Sequence, residues 1–367
     1  MSSSTPKAAR KAKPPARQAR NQAQKIEAID ALFEQAGLRR TLRGKSAGVT
    51  LRMRLDRAQP EELSPPVSTP LLAPNGVEWL AVPGWQKTSW LWHGFSTRRG
   101  GLGRAYCADG APGELNLGFT AADDRDTVAS NRLLLAEALT GDSATPLITL
   151  RQIHSTAIAT VGLQDAARNQ PWRADGAMTD EAGLLLAVQT ADCIPVLVAD
   201  RKRRVVAAFH AGWRGTVNRI VQAGIGRMRL LYGSEPEDLI AAIGPGIGPC
   251  CYAVGEEVLS SFESQFAYFN DLFREVYDSD PIRTRYPMLF LTQRAPGHSP
   301  IGPRLHLNLM EANRRQLLDA GLKPTSIQLV GGCTSCQPHL FFSHRASHGH
   351  AGRMLSVIGI RRATRVR

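Results

Sequence analysis

The sequence lacks what several large classes of protein require. No apolar run is long enough to cross a bilayer: the longest, residues 183–199, is broken by Gln189, Thr190 and Asp192. A membrane partner is therefore not expected. Residues 1–25 contain no acid and no aromatic side chain, only seven Lys and Arg among small and polar residues. They have no apolar core of the secretory kind, and Pro14 and Pro15 spoil the amphipathic helix of a transit peptide. They read as a disordered basic tail. Charge alone can draw such a tail to nucleic acid. With no aromatic ring to stack a base, a solvated extension is the better expectation. No Asp or Glu follows Asp319, and residues 361–367 form a second basic tail. The net charge of +13 thus sits largely at the two ends.

Cysteine is also sparse. Six cysteines in 367 residues, with no secretory signal, do not read as a disulfide framework. A reducing, cytoplasmic setting follows as the expectation, and metal or thiolate chemistry is what remains for these side chains. What is present is ordinary for a globular chain: 43% hydrophobic and 21% charged residues.

Residues 26–76 read as an N-terminal extension. Helical spacing marks 26–36, a basic and partly alternating stretch follows over 38–57, and Pro and Ser crowd residues 60–74 as a linker. Residues 77–360 read as one catalytic domain with no second linker and no repeat. The spacing predicts helices over 126–139, 217–232 and 309–320, the last capped by Asn308. Short apolar runs predict buried strands at 184–188, 195–199, 205–210, 239–243, 326–330, 340–343 and 355–360. Strands and helices intermix, so the class is α/β, in the mixed α+β sense. Residues 262–304 are aromatic and Pro-containing and read as an insertion.

Three segments place polar residues at the ends of buried strands: Arg151-Gln152-Ile153-His154-Ser155, Thr190-Ala191-Asp192-Cys193-Ile194-Pro195 and Phe209-His210-Ala211-Gly212-Trp213-Arg214-Gly215. Two imidazoles and a thiolate, His154, Cys193 and His210, suit a tetrahedral Zn²⁺ with one open position. They disfavour Mg²⁺ and Ca²⁺. The same residues also suit a hydrolase in which Cys193 attacks and a histidine acts as base. Asp192 orients a histidine in either scheme or caps a turn. Gly212-Trp213-Arg214-Gly215, where a strand hands over to a helix, offers backbone N–H groups and a guanidinium to an anion. Cys333-Thr334-Ser335-Cys336 has no second C-x-x-C to complete a metal site, and reads as a structural or incidental pair.

Taken together these segments resemble a known family. The resemblance runs through Phe95-Ser96-Thr97-Arg98-Arg99-Gly100-Gly101, Leu115-Asn116-Leu117-Gly118, Gln152-Ile153-His154 and Ala174-Asp175-Gly176. It continues through Thr190-Ala191-Asp192-Cys193, His210-Ala211-Gly212-Trp213-Arg214-Gly215, Ile243-Gly244-Pro245, Cys250-Cys251-Tyr252, Phe341-Phe342-Ser343 and Gly352-Arg353. The pattern is similar to that of the multicopper polyphenol oxidase, or laccase-like, family, whose members are regarded as purine nucleoside phosphorylases with adenosine deaminase activity. The chain departs from that pattern at Ala253, His344 and Ala346.

The resemblance implies a single domain akin to the catalytic domain of cytotoxic necrotizing factors. It implies zinc held by His154, Cys193 and His210, with copper binding adventitious. Purine nucleosides (adenosine, inosine, guanosine, methylthioadenosine) and phosphate are the implied substrates. Arg214 is the leading phosphate or substrate contact, and Asp175, Asp192 and Asn116 are candidates for orienting ligands or ribose. Copper-dependent phenol oxidation is the rival enzyme reading. It needs a His-rich copper cluster, and the chain has nine His in all. A basic nucleic-acid-binding protein is the non-enzyme rival, and it has no use for His154 or Cys193.

Overall fold

The computed structural model describes residues 38–42, 49–53, 57–58, 65, 68–108, 110–168, 170–276 and 304–363. The tail over 1–25 and the helical spacing over 26–36 lie outside the described residues. The chain divides into two units, residues 1–56 and 57–367. In the first, β1 (Leu38–Leu42) and β2 (Val49–Met53) pair antiparallel within the partly alternating stretch.

The second unit is a mixed α+β domain built on two six-stranded sheets. One sheet runs β4 (Leu71–Leu72), β5 (Glu78–Leu80), β6 (Leu91–Ser96), β19 (Met354–Ile360), β11 (Leu185–Thr190) and β8 (Leu147–Thr149). The other runs β18 (Ile327–Leu329), β14 (Leu239–Ile243), β12 (Ile194–Asp200), β13 (Val205–Ala211), β10 (Gly176–Thr179) and β9 (Ile158–Thr160). A smaller sheet joins β15 (Ala253–Val254), β17 (Arg304–Leu307), β16 (Phe273–Val276) and β3 (Arg57–Ala58). A further strand, β7 (Arg99–Gly103), follows β6.

The two large sheets face each other across one core. Leu186, Val188 and Ile358 meet Leu197, Ala199, Val206 and Ala208 there. The alternate residues of β11 and β19, Leu185, Ala187, Leu355 and Val357, turn the other way, against Leu135, Ala136 and Leu139 of α1 (Arg125–Thr140). Both faces of the inner strands are therefore buried. That is why they read as unbroken apolar runs rather than as alternation. Each fully buried Leu, Ile or Val contributes roughly 1.5–3 kcal/mol relative to exposure. No helix among the described residues is long and apolar enough to span a membrane.

Most expected elements lie where the sequence puts them, with two differences. The helix expected over 217–232 begins earlier, as α2 (Trp213–Val217), and restarts as α3 (Ile220–Tyr232). Arg219, at φ 63°, takes the left-handed conformation that interrupts it. Residues 340–343 are not a strand. Leu340, Phe341 and Phe342 are buried, but the Leu340 and Phe341 amides both donate to Gln337 O, so the segment is a turn folded under the core. Asn308 caps α6 (Leu309–Asp319) as expected, its side chain accepting from the Glu311 amide at 3.0 Å. Within the expected insertion, residues 262–276 finish α4 (Glu256–Glu263) and form α5 (Phe269–Leu272) and β16, burying Phe262, Phe266 and Phe273. Residues 277–303 lie outside the described residues.

Candidate metal centre

Strand direction gathers the three polar segments at one end of the sheets. β8 and β11 are parallel neighbours, so the segments that follow them, 150–155 and 191–193, leave at the same end. The Gln152 side chain ties them together, donating to Gln189 O at 2.8 Å and accepting from Gln189 N at 2.7 Å. β12 and β13 are antiparallel with Ile194 opposite Ala211, which sets Cys193 beside Gly212. Within β13, the parity that sends Val206 and Ala208 into the inter-sheet core sends His210 the same way at the strand's end.

His154, Cys193 and His210 converge, their ligand atoms within 4.8 Å of one another. Cys193 Sγ lies 3.9 Å from His154 Nε2, and the two imidazole rings meet edge to face at 5.0 Å. A zinc ion at ordinary bond lengths in tetrahedral geometry needs about 3.6 Å between a sulfur and a nitrogen ligand, so a small closing motion suffices. Gly212 allows the approach: a Cβ there would meet Cys193 Sγ and His154 Cδ2, each at 3.0 Å. His154 and Asp192 hold φ at 57° and 95°, a conformation that costs a non-glycine residue of order 1 kcal/mol or more.

Asp175 holds the centre from behind. It is fully buried and accepts from the Ile153, His154 and Ser155 amides and from the Ser155 hydroxyl. It also pairs with His210 Nδ1 at 2.9 Å. That bond turns His210 Nε2 toward the ligand cluster, the usual second-layer arrangement behind a metal-binding histidine. Burial works against ionisation of the Asp175 carboxyl. The His210 and Ser155 hydrogen bonds outweigh it and hold the carboxyl well below the usual carboxylate range. Burial likewise opposes a Cys193 thiolate, but the His210 charge and the histidine hydrogen bonds bring that thiol down to about 6. His210, against its own burial, is raised to about 9 by Cys193 and Asp175. Without metal, Cys193 and His210 therefore form a thiolate–imidazolium pair at neutral pH, and a metal would bind by displacing the His210 Nε2 proton.

The centre opens into a cavity of about 610 Å³, within the range of small-molecule sites. Arg151, Arg345 and Arg353 line it, as do Tyr252, Asp192 and Thr190. Thr190 Oγ1 is buried and has no hydrogen-bond partner among the described residues. Asp192 accepts from the Thr334 hydroxyl and the Arg345 amide, both at 2.7 Å, and so fixes the far wall.

Of the candidate substrate contacts, Asp192 lies on the cavity and Asp175 behind His210, one of the three candidate metal ligands. Asn116 is fully buried, accepts from the Arg353 amide at 2.8 Å and so positions an arginine of the cavity. Arg214 is exposed, stacks on the Trp213 ring at 4.4 Å and is not among the lining residues. Arg151 heads the first of the three polar segments but has no role assigned to it from sequence, and Arg345 lies in a segment that departs from the family pattern.

Among the described residues, a second group of possible metal ligands converges: Cys250, Cys251, Cys333 and Cys336. No such group includes His344, His348 or His350, the histidines nearest in sequence to a copper cluster.

Residues 92–361 match the family described as multi-copper polyphenol oxidoreductase laccase. A Geobacillus stearothermophilus protein named purine nucleoside phosphorylase YlmD is 37% identical over 278 residues, covering 73% of this chain and 89% of that protein. An adenosine deaminase, RL5, from an unknown prokaryotic organism is 31% identical over 273 residues, covering 72% and 92%. The crystal structure of the Bacillus licheniformis hypothetical protein YfiH superposes with a TM-score of 0.63 at 30% identity, covering 77% of this chain and 97% of that one. The chain belongs to the multi-copper polyphenol oxidoreductase laccase family, the family of these nucleoside-enzyme relatives.

Proposed function

We propose that the chain is a zinc-dependent purine nucleoside phosphorylase that also deaminates adenosine, with inosine, guanosine and methylthioadenosine as further substrates. The observation that carries this reading is the meeting of His154, Cys193 and His210 at a cavity that three arginines also line. The names of the relatives supply the nucleoside class.

His154, Cys193 and His210 would hold the metal through Nε2, Sγ and Nε2. When bound, zinc supplies a Lewis acid and makes water a competent nucleophile near neutral pH. Asp175 keeps a proton of His210 on Nδ1, so the proton that a metal would displace is the one on Nε2. Arg151, Arg345 and Arg353 place positive charge where phosphate must approach the anomeric carbon of ribose as the purine leaves. Asp192, on the cavity, is the ribose contact. Asn116 holds the Arg353 backbone in place, so its effect on substrate is indirect.

Protein stripped of metal by a chelator is expected to lose adenosine turnover and to regain it with zinc. Cys193→Ala is expected to stay inactive after the same treatment. Copper-dependent phenol oxidation with no nucleoside turnover would overturn the reading in favour of the oxidase.

A further inference from the structure

The four cysteines outside the catalytic centre come from two loops far apart in sequence. Cys250 and Cys251 follow β14, and Cys333 and Cys336 follow β18. β14 and β18 are parallel neighbours, so both loops leave at the same end of the sheet. Gly246 pairs with Cys333 across the gap, and the Thr334 amide donates to Gly246 O at 2.9 Å. A tight turn completes the approach, with the Cys251 and Tyr252 amides both donating to Gly248 O at 3.0 Å. Gly248 keeps the approach uncrowded, since a Cβ there would press on Cys250 Sγ and Cys333 Cβ, each at 3.1 Å.

The result is a cluster of four sulfurs, all within 4.8 Å of one another. Cys336 Sγ lies 3.3 Å from Cys251 Sγ and 3.5 Å from Cys250 Sγ. Sulfurs at the corners of a tetrahedron around zinc are about 3.8 Å apart, whereas a disulfide brings two sulfurs to about 2.05 Å. The Gly248 amide donates to Cys333 Sγ at 3.2 Å, the kind of N–H···S bond that stabilises a thiolate ligand. Cys250 and Cys333 are buried, and Cys251 is half-buried.

We propose that Cys250, Cys251, Cys333 and Cys336 form a second metal site, a closed four-thiolate centre that binds Zn²⁺ and clamps the loop after β14 to the loop after β18. All four protein ligands are used, so the site is structural rather than catalytic. Its neighbours give the clamp a purpose. Tyr252 lines the catalytic cavity, and Thr334, next to Cys333, donates to Asp192 on the cavity wall.

The inference does not rest on the nucleoside reading. Full-length protein, purified under reducing conditions and equilibrated with zinc, is expected to carry two zinc ions per chain. Cys193→Ala is expected to carry one, with all four clustered cysteines intact. Cobalt substituted into Cys193→Ala should show thiolate-to-metal charge transfer of a four-thiolate tetrahedral centre. The double variant Cys251→Ser/Cys336→Ser should also carry one zinc, with its melting temperature below that of Cys193→Ala. If it does not fold, Cys193→Ala alone decides. Two results would overturn the proposal: one zinc in the wild type and none in Cys193→Ala, or a non-reduced mass two hydrogens light that maps to a disulfide within the cluster.

Discussion

Asp175→Asn is nearly isosteric and tests the support behind the metal centre. The carboxylate accepts the His154 amide and His210 Nδ1 on one oxygen, and the Ile153 amide, the Ser155 amide and the Ser155 hydroxyl on the other. An amide can face its NH₂ toward only one set, and in either pose at least two former donors lose an acceptor. Each such loss in a buried site costs about 1–3 kcal/mol, so destabilisation on the order of 3 kcal/mol is expected. At about 2–4 °C per kcal/mol in a domain of a few hundred residues, that lowers the melting temperature by roughly 6–12 °C. If the NH₂ faces His210, Nδ1 can keep a bond only by becoming the acceptor. The ring proton then moves to Nε2, which no longer offers a lone pair to a metal. Loss of such a supporting partner typically costs about 10–100-fold in metal affinity. Thermal melts of the metal-free proteins measure the first effect, and competition with a chromogenic zinc chelator measures the second. An Asp175→Asn protein with wild-type melting temperature and wild-type zinc affinity would refute the positioning role of Asp175.

Because the folded Asp175 carboxyl is held below its unfolded value of about 3.9, its contribution is complete above that pH. It is lost as pH falls through the lower, folded value, so the acid limb of a wild-type pH–stability curve should flatten in Asp175→Asn. In metal-free protein, alkylation of the Cys193-containing peptide should rise through pH 6 or so, where the thiolate forms, rather than near 8.5 as for an ordinary thiol. An ordinary midpoint would show that His210 does not support the thiolate. Gly212→Ala should lower zinc content, since its Cβ would meet Cys193 Sγ and His154 Cδ2, each at 3.0 Å. Full zinc occupancy in that variant would contradict the packing. Arg345→Ala and Arg353→Ala should raise the KM for phosphate more than they slow deamination, because a charged hydrogen bond matters more to an anion than to water. Arg214→Ala, whose guanidinium stacks on Trp213, should affect phosphate less. The reverse order would return the phosphate to Arg214.

Two of the three candidate metal ligands were legible because they adjoin buried strands, where a residue able to ligate a metal stands out beside an apolar run; the exposed His154 lies five residues past β8. His210 and Cys193 are of this kind, one ending β13 and the other preceding β12. The partnership of Asp175 with His210 was less visible, since it depends on β10 pairing with β13 and sequence does not announce strand order. The same limit hid the cysteine cluster. Cys333-x-x-Cys336 looked unaccompanied because its partners, Cys250 and Cys251, lie more than 80 residues away, and only the parallel pairing of β14 and β18 brings them near. The turn at 340–343 misled for another reason. Burial makes Leu340, Phe341 and Phe342 look like a strand, but burial alone does not fix backbone conformation.

The central claim is that this cavity transfers ribose from a purine to phosphate. Chromatography of adenosine incubated with zinc-loaded wild-type protein, with and without phosphate, tests it most directly. Free adenine should appear only when phosphate is present, with ribose 1-phosphate equal to adenine and hypoxanthine together, while inosine should form in both cases. Free adenine released at the same rate without phosphate would contradict the account, because water rather than phosphate would then attack the ribose.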